Sequence, residues 1–475
     1  MLLSNLPKII KISKIINFKK NNSFSSVTSN SKIVNNRTLF IFDSNSKSKK
    51  KYIDEAIRKN TPAIITNKTQ KKLSKPQFIV SDLNYEIQVL LKKIYNKFPN
   101  KTIAVTGTNG KTSVVWYISK ILTQLNHNHN TVGTLGHFKN GKKINDINLT
   151  TPAFEELYKY GFSNSRKNNS YIFEASSHAI DQNRIRNYPI QIAAITNLSK
   201  DHLDYHKNFK NYKNTKVKLF TKYLSENGIA IINSRIKNSL SLKNKLNLKK
   251  IKIIYFGKNN FNFYKTANKL KLKINNKKYL IDKIRLTTDI ELENLECAIA
   301  CCSALGINEN DIVKTIPNIT NPPGRLQKIY YKKKNSIIII DYAHTPDALK
   351  RTLKSLIKKK IKPKLLFGCG GDRDKTKRKD MGIIGNNFSS KTYITDDNPR
   401  NENPSYIRKN IIKYCPNAIE IPGRKKAIKK AISELEANEI LLIAGKGHEN
   451  LQIIKNKKLN FDDYKIVQEI LKNEH

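Results

Sequence analysis

Acidic residues are scarce in this chain. Across 475 residues, 37 Asp and Glu stand against 89 Lys and Arg, a formal net charge of +52. Such an excess of base would ordinarily point to nucleic acid or an anionic surface. Here, however, Lys, Asn and Ile run through the whole sequence rather than gathering in one arm, so no nucleic-acid partner is expected. The positive field instead favours capture of polyanionic small molecules. Glycine is also sparse, at 18. The five cysteines (Cys297, Cys301, Cys302, Cys369 and Cys415) include no CxxC pair and no disulfide-like framework. Free thiols in a reducing compartment follow. No apolar run approaches the roughly eighteen residues that would span a bilayer. Membrane insertion is therefore not expected, and a cytoplasmic location is. The first twenty residues, MLLSNLPKIIKISKIINFKK, lack the apolar h-region and small-residue cleavage site of a secretory signal. They are basic and mildly amphipathic, so an organelle presequence stays open.

The length suits two to four domains, each with its own core. Residues 1–97 hold strand-like pieces at 38–42 and 63–66 around a helical stretch at 52–59, with no obvious chemistry. The lysine- and asparagine-rich stretches 43–51, 67–76 and 265–279 read as solvated loops or edges, and no internal repeat is present. From residue 102 the pattern changes. In "TIAVTGTNGKTSVVWYISKILTQL" a buried-strand run at 103–105 passes through a glycine turn into a helix. Its apolar positions are Val114, Ile118, Ile121, Leu122 and Leu125. After residue 324, apolar runs at 337–340, 365–367, 393–394 and 440–443 each precede a polar turn: "DYAHTPDAL", "GCGGDRD", "TDDNPR" and "AGKGHE". Polar turns at the carboxyl ends of apolar strands are the mark of an open, mostly parallel α/β sheet. "ITNPPGRLQ", residues 319–327, reads as the hinge before this last region.

Several strings carry chemistry. "TGTNGKTS", residues 106–113, lies between strand and helix, where unpaired N–H groups and the helix dipole bind phosphate. Gly107 and Gly110 let the backbone curl, Lys111 reaches the β- and γ-phosphates, and the Thr112 hydroxyl is a Mg²⁺ ligand candidate. The spacing is GxxGKT, with Val105 where the general P-loop pattern has its first glycine. Glu174, ending an apolar run, joins Thr112 as a hard oxygen ligand of the kind Mg²⁺ prefers. In "ITNLSKDHLDYH", His202 and His206 have the i,i+4 spacing that could hold zinc, but HExxH is absent. Lys216 interrupts a helical stripe formed with Phe209, Tyr212, Leu219 and Tyr223. A buried ammonium is costly. Either the amine snorkels to solvent, or it is neutral and captures CO₂ as a carbamate, N6-carboxylysine, with carboxylate-like ligand character. His344 has two open readings, nucleotide contact or helix start. "DNPR" could be a solvated turn or a rigid pocket presenting both charges to a zwitterion.

Taken together, "TGTNGKTS", "LTTP", "EASSHAIDQNR", "TNLSKDHLDYH", "PGRLQ", "DYAHTPDAL", "GCGGDRDKTKR", "DNPR" and "AGKGHE" resemble the Mur ligases. These are ATP-dependent amide-forming enzymes of peptidoglycan precursor synthesis, and thus of cell-wall biogenesis, cell shape and division. The strings keep the family's order from residue 106 to 449. "DNPR" points to the branch that adds meso-diaminopimelate to the D-glutamyl γ-carboxylate of UDP-N-acetylmuramoyl-L-alanyl-D-glutamate, because relatives adding lysine typically lack the arginine. A related ligase adding lysine or another amino acid is the alternative. From a different class, the alternative is a basic nucleic-acid-binding NTPase.

The resemblance implies an α/β fold of three domains. These are a UDP-binding domain at 1–97, a central P-loop ATPase-like domain at 98–323, and a Rossmann-like amino-acid-binding domain at 324–475. It implies that Gly107, Thr108, Asn109, Gly110, Lys111, Thr112 and Ser113 bind ATP phosphates, with Asn294, Arg325 and Asp341 on adenine, phosphate and ribose. Thr112, Glu174, His202 and carbamoylated Lys216 would hold Mg²⁺, and Lys111, Lys216, His202 and Glu174 form the catalytic set. Ser31, Thr150, Thr151, Ser176, Gln182 and Arg184 would grip the UDP-muramoyl-peptide. The sequence has Asn30 and Arg37 where the family favours Asp and Gly, and offers no second uridine contact. Arg378, Asp397, Asn398, Pro399, Arg400, Gly445 and Glu449 would line the diaminopimelate pocket. A bidentate arginine–carboxylate pair is something lysine cannot copy. A monomer with small-molecule partners is expected.

Overall fold

Where a strand is apolar on both faces it must be covered on both, and the chain does this with helices. The computed structural model describes all residues except 46–49, 163–168, 187, 237–245, 247–249, 259, 267, 268, 358, 359, 474 and 475. Part of the expected solvated stretch 43–51 thus lies outside the described residues. Two units alternate along the chain. Residues 1–104, 126–193 and 218–228 make the first, and residues 105–125, 194–217 and 229–475 the second.

The first unit contains a five-stranded sheet in the order Lys14–Ile16, Gln77–Ile79, Ile64–Thr66, Thr38–Phe42, Ser26–Thr28. Its first pair is antiparallel and the rest are parallel. The helix expected at 52–59 runs over Lys51–Arg58 and buries Ile53 and Ala56 against Phe40 and Ile64. The basic N-terminal stretch contributes Leu3, Leu6 and Ile10 to the buried interior. Farther along, Ser170–Glu174 pairs in parallel with His129–Gly133, which turns back antiparallel into Gly136–Lys139. Tyr158, Phe162, Tyr171, Phe173 and Tyr188 form an aromatic cluster with ring centroids 4.3–5.8 Å apart. Edge-to-face and offset contacts of this kind rigidify a core, and this one anchors the strand that ends in Glu174.

The strand Lys101–Thr106 leads into the glycine turn, and in the second unit the helix Lys111–Gln124 follows as the periodicity requires. A six-stranded sheet has the order Gln327–Tyr331, Ser336–Asp341, Ile440–Ala444, Lys364–Phe367, Thr392–Ile394, Ile419–Glu420. Only its first pair is antiparallel. Successive side chains alternate faces. Ile339, Leu365, Phe367 and Leu442 pack with the helices Pro346–Leu356, Lys377–Phe388 and Pro404–Ile412. Ile338, Ile340, Leu366 and Leu441 pack with Arg424–Ser433 and Asp463–Lys472. The expected α/β class and parallel sheet are therefore present, and every apolar run read from the sequence after residue 324 is a strand.

The stretch 265–279, expected as a solvated loop or edge, takes the edge form: its described residues build most of a three-stranded antiparallel sheet, Asn262–Thr266, Lys269–Ile274 and Lys277–Ile281. Leu272 and Ile274 alternate inward with lysines between them, a strand pattern obscured by the lysine-rich composition.

His129, fully buried in the first unit, has its imidazole pushed down to about 4, chiefly by burial. Between that value and the unfolded value of about 6.5 the unfolded chain binds more protons, so stability falls as pH drops through this window. The wild type should lose about 2–3 kcal/mol between pH 7 and pH 4.5 relative to a His129→Gln variant. Equilibrium urea melts at the two pH values measure it.

Candidate active site

The glycine turn is held open by lack of space. Gly107 and Gly110 adopt φ of +147° and +85°. A Cβ on Gly107 would lie 1.9 Å from Thr196 Oγ1, and one on Gly110 2.2 Å from Asn294 Oδ1. Neighbouring side chains fix the rest of the loop. Asn109 N–H donates to Asn197 Oδ1 at 2.9 Å, and its carbonyl accepts from Thr196 Oγ1 at 2.5 Å. Thr108 Oγ1 donates to the Ser199 carbonyl at 3.1 Å and accepts from Tyr212 at 3.1 Å. The loop thus reaches the helix N-terminus in a fixed shape, and Gly110 caps that helix in a left-handed conformation. Exposed helix N–H groups in that setting suit an anion.

Two lysines close on this loop. Lys111 Nζ donates to the carbonyls of Gly107 and Thr108 at 2.9 and 3.0 Å. Lys216, only 1% exposed, donates to the same Gly107 carbonyl at 2.8 Å, with its nitrogen 4.7 Å from the Tyr212 ring centroid. Of the other residues of the expected stripe, Tyr212, Leu219 and Tyr223 are buried and Phe209 is half-buried. Burial first, then the nearby Lys111 charge, push the Lys216 amine well below the usual lysine range, against a smaller opposing effect of Asp201. Neutralisation is the outcome the physics favours for such a group. His202 stands nearby in a left-handed conformation, its Nε2 3.5 Å from Asp201 Oδ2 and its ring 6.4 Å from that of Tyr212.

Residues expected on the nucleotide meet in one open cleft. Asn109, Gly110, Ser113, Asn294, Arg325, Asp341 and His344 all line it. Arg325 lies over the Tyr342 ring at 4.4 Å, with one guanidinium nitrogen 3.5 Å from Thr112 Oγ1, and its Nε is buried without a partner. Asp341 accepts from the Leu326 and Ala343 N–H groups at 2.9 and 3.0 Å. Burial raises its carboxyl above the usual range despite the opposing pull of Arg325 and these hydrogen bonds. His344 bonds the Tyr342 carbonyl through Nδ1 at 2.9 Å, and burial followed by Lys377 lowers its imidazole. His344 lines the cleft and stands two residues before the helix Pro346–Leu356. Asp347 was not singled out in the sequence. Its Oδ2 accepts from Ser199 Oγ at 2.8 Å and sits 3.4 Å from Asn109 Nδ2, tying the start of the helix Pro346–Leu356 to the phosphate loop.

The first unit gathers the residues expected on the muramoyl-peptide. Thr151 Oγ1 donates to the Glu174 carbonyl at 2.6 Å and accepts from the Ser176 N–H at 3.0 Å, while Arg184 donates to the Thr151 carbonyl at 2.9 Å. Gln182 accepts from Arg184, and Thr150 accepts from Thr134. Buried Glu174 accepts from the Thr134 N–H at 2.7 Å. Ser31 lies apart from this cluster in its bonding, donating to Glu55 at 2.6 Å.

Around "DNPR" the charges divide sharply. Arg378, 2% exposed, bonds Glu402 through Nη2 at 2.9 and 3.0 Å, but its Nε and Nη1 are buried with no partner. Asp397 Oδ1 is likewise buried without a hydrogen bond. Asn398 donates to Glu449 at 2.9 Å. Arg400, at φ +50°, donates to the Gly371 carbonyl at 2.7 Å, and Pro399 precedes it. Gly445, at φ +112°, would bring a Cβ within 3.1 Å of Asp397. Sequence reasoning passed over Lys446, fully buried beside these groups, because one more lysine stands out poorly among 89 basic residues.

The same order of strings is matched by two family descriptions: Mur ligase middle domain over residues 105–302, and Mur ligase, glutamate ligase domain over 324–447. The chain belongs to the Mur ligase family. Among Mur ligases it is 37% identical to the UDP-N-acetylmuramoyl-L-alanyl-D-glutamate–2,6-diaminopimelate ligase of Rickettsia bellii, over 94% of this chain and 96% of that one. It is 35% identical to the enzyme of the same name from Wigglesworthia glossinidia brevipalpis, covering 96% and 99%. A solved ligase of that name superposes with TM-score 0.61 at 27% identity, covering 95% of each chain. The MurF ligase of Thermotoga maritima, solved with ADP, shares the fold at TM-score 0.64 and 15% identity, covering 94% and 97%.

Gly110→Ala tests the loop. It adds left-handed strain of about 1–2 kcal/mol and displaces Asn294. Affinity for a fluorescent ATP analogue should fall at least about tenfold. Unchanged affinity would show that the loop does not need this shape for nucleotide.

Proposed function

We infer that this Mur ligase is an ATP-dependent ligase that joins meso-2,6-diaminopimelate to the D-glutamyl γ-carboxylate of UDP-N-acetylmuramoyl-L-alanyl-D-glutamate, in peptidoglycan precursor synthesis. The observation that carries the choice of amine donor is the pair of unmatched buried groups near "DNPR". Arg378 has two nitrogens without acceptors, and Asp397 has an oxygen without a donor. Diaminopimelate has an amino-acid head at its far end, so it brings one carboxylate and one ammonium to such a pocket. Lysine would bring only the ammonium and leave the guanidinium groups unpaired, a cost that supports strong discrimination. In this reading Arg400 pairs with the far carboxylate, and Asp397 and Glu449 take the ammonium. Asn398 and Gly445 shape the wall, and Pro399 limits the ordering cost.

The reaction needs no side-chain nucleophile. The substrate γ-carboxylate forms an O–P bond to the ATP γ-phosphorus as the bond to the bridging oxygen breaks, giving an acyl phosphate and ADP. The diaminopimelate amine then attacks the acyl carbon, loses a proton, and phosphate leaves from the tetrahedral intermediate. Lys111 and the helix N-terminus offset charge on the transferring group, while the cleft residues Asn294, Arg325 and Asp341 orient the nucleotide. Thr151, Ser176, Gln182 and Arg184, with Thr150 and Ser31, would position the UDP-muramoyl-dipeptide, whose γ-carboxylate becomes the acyl phosphate. Thr112, Glu174, His202 and a carbamoylated Lys216 would hold Mg²⁺, contributing mainly the oxygen donors it prefers. When bound, Mg²⁺ neutralises phosphate charge and orients the leaving group. A neutral Lys216 amine can form the carbamate by N–C bond formation with CO₂ and loss of one proton. The domain limits 1–97, 98–323 and 324–475, a monomeric state and a cytoplasmic location belong to the same proposal.

Incubation with ATP, the UDP-dipeptide and either diaminopimelate or lysine, read by product mass, tests the donor. Turnover should be faster with diaminopimelate, and Arg400→Lys should lower kcat/KM for it at least about tenfold. Faster turnover with lysine rejects the reading of Arg400. Lys216→Ala should abolish activity, with partial recovery in excess bicarbonate and a short-chain carboxylic acid. A fully active variant rejects the carbamate.

A further inference from the structure

Lys446 has no exposed surface, yet it lies among the charged groups of the donor pocket. Its Nζ donates to the Leu451 carbonyl at 2.6 Å and to Asn398 Oδ1 at 3.3 Å. It stands 3.4 Å from Glu449 Oε2 and 3.9 Å from Asp397 Oδ1. The other buried charges nearby have their own counterparts. Arg424 is balanced in charge by Asp463 at 2.7 Å, and Arg378 by Glu402 through Nη2, although its Nε and Nη1 keep no hydrogen-bond acceptor. Of the charged side chains assigned to this pocket, with Lys446, four then remain: Asp397 and Glu449 against Lys446 and Arg400, which sum to zero.

We propose that Lys446 is a positioning and specificity-determining residue, setting the pocket for a net-neutral, zwitterionic head rather than a bare ammonium. The proposal rests on the donor-pocket reading above. It has two physical parts. First, Asn398 Oδ1 is taken by the Ile453 N–H at 2.9 Å and by Lys446, so its amide nitrogen is directed to Glu449. Second, a pocket of zero net charge gains nothing from an unbalanced cation, whereas removing Lys446 leaves an excess negative charge that welcomes one. Charge complementarity of this kind governs selectivity more than raw affinity.

The test compares wild type, Lys446→Met and Lys446→Gln in the ligation assay with diaminopimelate and with lysine. In both variants the ratio of kcat/KM for diaminopimelate to that for lysine should fall at least about tenfold, with KM for ATP within about twofold of wild type. The double variant Lys446→Met with Glu449→Gln restores the neutral sum and should recover part of the ratio. It also covers the case in which an unmatched acid prevents folding. An unchanged ratio, or an equal loss for both amines, overturns the proposal and leaves Lys446 a structural residue. Wild-type protein that does not ligate diaminopimelate overturns the donor reading itself, and this inference with it.

Discussion

Two lysine amines share one carbonyl oxygen. Lys111 and Lys216 both donate to Gly107, at 2.9 and 2.8 Å, and the rest of the phosphate site follows from that crowding. Gly107 can present its carbonyl this way only because its φ is +147° and Thr196 occupies the space a side chain would need. Burial of Lys216, and then the Lys111 charge beside it, push its amine well below the usual lysine range. A single backbone conformation therefore draws two lysine amines onto one loop and biases the buried one toward its neutral form.

The same logic of charge in short supply runs through the whole chain. With 37 acids against 89 bases, acids are found where a specific partner needs them. Glu174, Glu291, Glu296, Asp341, Asp397 and Asp463 are all buried. Glu291 closes the capping box of the helix that carries Asn294, and Glu296 pairs with Arg235 at 2.7 Å. Asp463 pairs with the buried Arg424 at 2.7 Å. The surplus lysines face solvent, where they cost little and create a field that attracts polyanions.

Much of this was legible beforehand for a physical reason. Parallel strands buried on both faces read as continuous apolar runs, so 337–340, 365–367 and 440–443 were recognisable, as were the polar turns after them. Lys216 was legible because it broke an otherwise apolar helical stripe. Other features were hidden by distance or by composition. Asp347 reaches Asn109 across 238 residues, which no local pattern can report. The strands between 262 and 281 alternate Leu and Ile with Lys, and in a lysine-rich chain that alternation looked like a solvated stretch. Lys446 was hidden for the same reason. The grouping of Thr151, Ser176 and Arg184 came from family resemblance, since nothing in their spacing alone implies a shared hydrogen-bond network.

The adjacent acids of "DDNPR" divide two tasks that one acid could not perform. Asp396 is fully engaged, accepting from Arg408 through Oδ1 and from the Gly423 N–H through Oδ2 at 2.8 Å, while Arg408 also bonds Glu420 at 2.8 Å. That acid fastens the turn to the scaffold. Asp397, the next residue, keeps an oxygen without a hydrogen bond. A carboxylate satisfied by the scaffold has little left for a ligand, and one left unsatisfied needs a rigid neighbour to stop it collapsing onto a nearby donor. Asp396 and Pro399 provide that rigidity from either side, and Lys446 stays 3.9 Å away from the open oxygen, close enough to offset its charge and too far to occupy it.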